Sequence, residues 1–180
     1  MNAFIEIAKD ILGWFFRLFV RPSLRIEYVA DGEPQVETVS NADPQAGWFY
    51  RLRVWNDGRL PAQDCTATLS RVEPQAGGRS LERPATLKWA HEDDYQPITI
   101  ESKESRKLDL AFLLENDPRL HFYFQRPSRP AGIDREFPVG SYRVMVRVSG
   151  KNAVSTTAWF SLEASAVPGS MRIFKIQGQD

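Results

Sequence analysis

Cysteine is nearly absent from this chain: Cys65 stands alone among 180 residues, so no internal disulfide can staple the fold. Histidine is almost as scarce, with only His91 and His121, which leaves little for imidazole catalysis or metal ligation. An excess of one charge is missing too. Basic and acidic residues number 23 each and the pI is about 6.8, so no global field draws the chain to nucleic acid. No phosphate-cradling glycine loop, Ser/His/Asp ordering, zinc-ligand spacing or internal repeat occurs. These absences point away from an enzyme, from a resident cofactor or metal, and from a solenoid. No residue is assigned a catalytic or metal-binding role.

What the chain has in excess is oily surface at its start, MNAFIEIAKDILGWFFRLFV. Wound as a helix over 1–21, at about 100° per residue, this segment gathers Glu6, Lys9, Asp10, Gly13 and Arg17 into an arc of roughly 120°. Large apolar side chains cover the rest. A surface helix needs an apolar stripe only about 100° wide. Full burial is worth ~1.5–3 kcal/mol per large apolar side chain, so this surface demands cover from lipid, a protein partner or sister subunits. Phe4, Ile7, Ile11, Trp14, Phe15, Leu18 and Phe19 are the expected membrane or oligomer contacts.

The segment does not read as a secretory signal: no basic n-region precedes it and no small-x-small cleavage site follows Val20. Residues 3–20 as a helix would span ~27 Å, slightly short of a ~30 Å hydrocarbon core. Lys9 and Asp10 near its centre would each cost ~2.5–3.5 kcal/mol on insertion. Lying in the interface, spanning the bilayer and packing in a self-assembled bundle all stay open. Arg17, Arg21 and Arg25 on the C-terminal flank place the following domain in the cytoplasm, free or at the inner face of the membrane.

Pro22 ends the helical pattern, and the hydrophobic period changes from 3.6 to 2. Leu24, Ile26 and Tyr28 alternate with polar residues, and Val36 and Thr38 suggest a short second strand. Trp48, Tyr50, Leu52 and Val54 alternate with Phe49, Arg51, Arg53 and Trp55, up to the turn signal Asn56-Asp57-Gly58. Cys65, Ala67 and Leu69 form one face of the next strand. One short strand is expected around Leu87 and Trp89, then Ile98–Ile100, a strand with Leu108, Leu110 and Phe112 on one face, and Leu120, Phe122 and Phe124. Tyr142, Val144, Val146 and Val148 make the clearest strand, followed by Thr156–Leu162 and Met171–Ile176. The expected fold is mostly β: an antiparallel sandwich over residues 22–180 behind one N-terminal α-helix.

Leu52-Arg53-Val54-Trp55-Asn56-Asp57-Gly58, continuing through Leu60-Pro61-Ala62 to Leu69, resembles a recurring pattern of prokaryotic immunoglobulin-like domains of adhesion type (CARDB-like). The run Ile98 to Phe112 is similar to their paired strands, and Phe137-Pro138-Val139-Gly140-Ser141-Tyr142 resembles their penultimate strand with its Pro-x-Gly-x-Tyr lead-in. The glycine permits positive φ at the corner, and the tyrosine hydroxyl can reach backbone there. The resemblance implies an immunoglobulin-like sandwich, a fold that assigns no activity.

Cys65 reads as a small buried hydrophobe. His91-Glu92-Asp93-Asp94 reads as a solvated acidic turn without metal-ligand spacing. Arg51, Arg53 and Trp55 on one strand and Arg143 and Arg147 on another would form a partner-binding stripe if those strands are sheet neighbours. Pairing of the arginines with Glu27, Glu37 and Asp109 is the blander alternative. Outward Trp55, Tyr123 and Trp159 could stack sugars or lie under a loop. The leading expectation is a non-enzymatic interaction or scaffolding module attached to a membrane or to sister subunits by its N-terminal helix. The alternative is a glycan- or anionic-lipid-binding sandwich.

Overall fold

Side chains that alternate between oily and polar bury one face of a strand and leave the other wet, and this pattern recurs in most of the described strands. The computed structural model describes residues 21–28, 35–38, 46–78, 80, 84–92, 94–124, 136–167 and 170–177. In chain order the strands are β1 (Leu24–Tyr28), β2 (Gln35–Thr38), β3 (Ala46–Asn56), β4 (Ala62–Pro74), β5 (Ala85–Thr86), β6 (Lys88–Trp89) and β7 (Ile98–Ile100). They continue as β8 (Ser105–Leu114), β9 (Asp117–Phe122), β10 (Glu136–Pro138), β11 (Gly140–Gly150), β12 (Ala153–Ala164) and β13 (Arg172–Ile176).

Two antiparallel sheets result. The first runs β1-β3-β8-β9-β10, with β2 beside β3 and β6 beside β8. The second runs β13-β12-β11-β4-β5, with β7 beside β4. Their inner faces share one core, the arrangement of a β-sandwich. Trp89, Phe122, Phe124 and Phe160 are fully buried there, each worth ~1.5–3 kcal/mol over exposure. Tyr50 ties the sheets together, its hydroxyl accepting the Met171 amide at 3.2 Å.

The expectation of a sandwich plus one helix is corrected: the described residues are all β, with no helix among them. Residues 1–20, on which the helix was read, lie outside the described residues. Arg21, its expected last residue, is not helical. It already belongs to the approach to β1, where Pro22 and Ser23 pack against the turn after β3.

Two further expectations change. The single strand around Leu87 and Trp89 is two strands in different sheets, β5 against β4 and β6 against β8. Leu87 is the crossing point, 1% exposed, with its amide donating to Ala67 O. Trp89 seals this flank by donating from Nε1 to Cys65 O at 3.3 Å. In β8, the register shifts between Tyr50 and Arg51, which inserts one extra residue opposite β3. Leu110 and Ala111 are therefore both in the core, and Phe112 turns to the outer face rather than following Leu108 and Leu110 inward.

Asn56, fully buried, is the polar hub of one end of the sandwich. Its Oδ1 accepts from Ser23 N and Gly58 N, both at 3.1 Å. Its Nδ2 donates to Leu60 O at 2.7 Å and Ile100 O at 3.0 Å. One side chain thus pins the start of β1, the β3–β4 turn and β7. Gly58 leaves no room for a side chain, since a Cβ there would sit 2.6 Å from Pro22 Cα. Asn56→Leu strands four backbone groups at once and should lower unfolding free energy by about 2–4 kcal/mol in urea titration. An unchanged midpoint would show that those groups find other partners.

Candidate functional site

An outward side chain on an antiparallel sheet meets its cross-strand neighbours, so strand pairing decides which surface residues form one site. β3 lies between β1 and β8, whereas β11 lies between β12 and β4. The expected stripe joining Arg51, Arg53 and Trp55 to Arg143 and Arg147 therefore does not form. The first three sit on the outer face of the seven-stranded sheet, the last two on the outer face of the six-stranded sheet. Alternation told which way each arginine points, but not which sheet carries it.

On the seven-stranded face, cations are matched to rings and carboxylates. Trp55 lies between the Arg25 and Arg53 guanidiniums, 5.8 and 5.7 Å from the ring centre. Arg25 also binds Asp57, Nε to Oδ2 2.6 Å, and Glu27. Arg51 packs over Phe49 at 5.3 Å and pairs with Asp109, Nε to Oδ1 2.5 Å, with side-chain exposures of 9% and 6%. The pairing of Arg51 with Asp109 is the blander alternative realised. Next to this pair Phe49 stacks on Phe112 at 5.3 Å, Phe112 on His121 at 4.9 Å, and Tyr123 closes on both phenylalanines. Trp55 Nε1 is a buried donor with no hydrogen-bond partner among the described residues.

On the six-stranded face, Arg143 packs over Trp159 at 5.1 Å. Cross-strand rows place Met145 between Trp159 and Arg71, and put Ile176 beyond Trp159. The neighbouring row runs Phe174, Ser161, Arg143, Glu73. Phe174 is 52% exposed. Arg147 donates from Nη2 to Ser155 Oγ at 3.2 Å. Arg71, Arg172 and Phe174 were not singled out from the sequence, although the parity of their strands would have found them. The three aromatics Trp55, Tyr123 and Trp159 are likewise split, the first two on one face and Trp159 on the other.

The remaining chemistry is local. Cys65 is fully buried in the core, where desolvation pushes its thiol up to about 11. Its Sγ donates to Ala62 O at 3.3 Å. His91 occupies an exposed turn at φ +66°. His121 Nε2 lies 3.1 Å from Asp117 Oδ2, and Arg119 grips the same carboxylate from Nη2 at 2.6 Å and Nε at 2.8 Å. Hydrogen bonding from Arg119 lowers the Asp117 carboxyl to about 2. Among the described residues no group of three or more His, Cys, Asp or Glu could hold a metal ion. Within the acidic turn, Asp93 lies outside the described residues, as do Phe4, Ile7, Ile11, Trp14, Phe15, Leu18 and Phe19.

Two outcomes check this electrostatic reading. Arg51→Ala or Asp109→Ala each leaves an uncompensated buried charge and should cost about 3–5 kcal/mol. The double variant Arg51→Met with Asp109→Leu should recover most of that in thermal or urea unfolding, and a double loss equal to the sum of the singles would reject the coupling. Asp117, being depressed, contributes stability that is present above its ordinary value of 3.8 and is lost as pH falls through about 2. Acid titration of Asp117→Asn should therefore show a shallower stability loss across that window than the native chain does. No protein-family model, curated protein or solved structure matches this chain.

Proposed function

We propose that the chain is a non-enzymatic interaction module: an immunoglobulin-like sandwich held at a membrane surface by its apolar leading residues. The observation that carries this reading is the wide apolar arc of residues 1–20 ahead of a two-sheet core. Every buried apolar residue among the described ones lies between Leu24 and Ile173, and strands of both sheets supply nearly all of them. The oily side chains of residues 1–20 need cover, and lipid is a cover that fits their composition. Arg17 near their end and Arg21 and Arg25 just after them favour the cytoplasmic leaflet.

The immunoglobulin-like assignment is supported at the corner before β11. Gly140 adopts φ +157°, and the buried Tyr142 donates its hydroxyl to Pro138 O. A passive role is supported by the state of the reactive groups. The thiol is sequestered and protonated, and the carboxylate beside His121 is occupied by Arg119.

Flotation of the full chain with neutral phosphatidylcholine vesicles tests the anchor. The native chain should float. Phe15→Asp with Phe19→Asp should stay in the dense fraction, with partitioning lowered on the order of 100-fold or more. Equal flotation of both would contradict the assignment. A vesicle-independent oligomer that the double variant dissolves would move the attachment to sister subunits.

A further inference from the structure

The last strand of an antiparallel sheet turns every second N–H and C=O away from its neighbour, and such an edge accepts a further strand unless something guards it. The edges of this sandwich are guarded unequally. β2, β5, β6, β7 and β10 offer two to four residues each. On one flank the chain crosses between the sheets at Leu87, and Trp89 seals the crossing. On the other flank β1 is five residues long, but its Ile26 carbonyl accepts from Lys175 Nζ at 3.0 Å. β13 is also five residues long, and among the described strands it pairs only with β12. Its register places Arg172, Phe174 and Ile176 on the outer face, with the Phe174 ring half exposed. Arg172 and Lys175 are exposed as well.

We infer that the edge of β13 receives an extended peptide of acidic character as an added antiparallel strand. This rests on the reading of the chain as an interaction module and names its partner, and it does not depend on the membrane anchor. In such an addition backbone pairing supplies the affinity and alternate side chains supply the choice. Charge sets the sign of that choice. β13 carries Arg172 and Lys175 and no carboxylate. Glu163 lies opposite Arg172 in register, yet the two form no ion pair among the described residues. A carboxylate on the incoming strand can therefore pair with Arg172 from the open side. An aromatic or β-branched residue opposite Phe174 completes the kind of cross-strand pair that stabilises sheets. A second copy fits poorly: it would set two Arg172 and two Lys175 on one short ribbon, with no carboxylate on either strand.

Fluorescence anisotropy of a fluorescein-labelled Gly-Val-Thr-Phe-Thr-Glu peptide with the full chain, in the absence of lipid, tests this. Laid antiparallel on β13, its phenylalanine meets Phe174 and its glutamate meets Arg172. A counterpart with lysine in place of the glutamate should bind the native chain about fivefold more weakly. Arg172→Glu should reverse that order and prefer the lysine peptide, a result that a misfolded variant cannot produce. Methylating the Val, Phe and Glu amides, or instead the two Thr amides, should abolish binding in one case and spare it in the other, because one alternate set faces β13. Equal effects of the two methylations would overturn strand addition. An unchanged peptide order in Arg172→Glu would overturn the acidic preference, and binding of neither peptide would overturn the inference as a whole. A chain that self-associates without peptide and is dispersed by it assigns the edge to a second copy, and the peptide partner falls. Since no lipid is present, lost peptide binding leaves the anchor standing, and lost vesicle flotation leaves the strand addition standing.

Discussion

The constraint on which the rest depends is that two sheets must bury their inner faces against each other with no room left over. Leu52 and Val54 of β3 and Val144, Val146 and Val148 of β11 face inward, all at 1% exposure or less. Each inward residue sends its neighbours outward, so Arg51 and Arg53 are on one surface because Leu52 is in the core. The surface chemistry is a by-product of core parity. It becomes a site only where strand pairing brings outward residues together.

Pairing also explains why the two outer faces have different characters. The bulge in β8 turns Phe112 outward beside Phe49 and His121 while Asp109 stays under Arg51. That one inserted residue converts an alternating strand into an aromatic cluster with a shielded ion pair. Among the described residues the six-stranded face has no such buried carboxylate; Arg71 pairs with the partly exposed Glu73, and Arg143 packs over Trp159. Breaking a shielded pair is costly, whereas an exposed pair contributes little.

Much of this architecture was legible in the residues. The strands around Leu24, Trp48, Cys65, Leu120, Tyr142, Phe160 and Ile173 follow from period-two alternation, and the burial of Cys65 follows from its place on the apolar face. The reach of the Tyr142 hydroxyl to backbone was also legible, because Pro-x-Gly-x-Tyr sets it at a corner. Three things were not. Alternation is blind to which sheet a strand joins, so β3 and β11 looked like neighbours. It is blind to a bulge, so Phe112 looked like core. It also cannot show a chain crossing between sheets within five residues, as Ala85–Trp89 does. All three are set by long-range pairing and packing, which local patterns do not encode.

The scarcity of cysteine makes the central claim directly measurable. Cys65 is fully buried with its thiol pushed up to about 11, so it stays unlabelled at neutral pH. A polarity-sensitive dye attached through Phe15→Cys then reports the surroundings of the leading residues alone. The account predicts a blue-shifted, brighter emission on adding phosphatidylcholine vesicles to the full chain. Emission that is already blue-shifted without lipid and unchanged by vesicles would show those residues sheltered within the protein itself and would contradict the account.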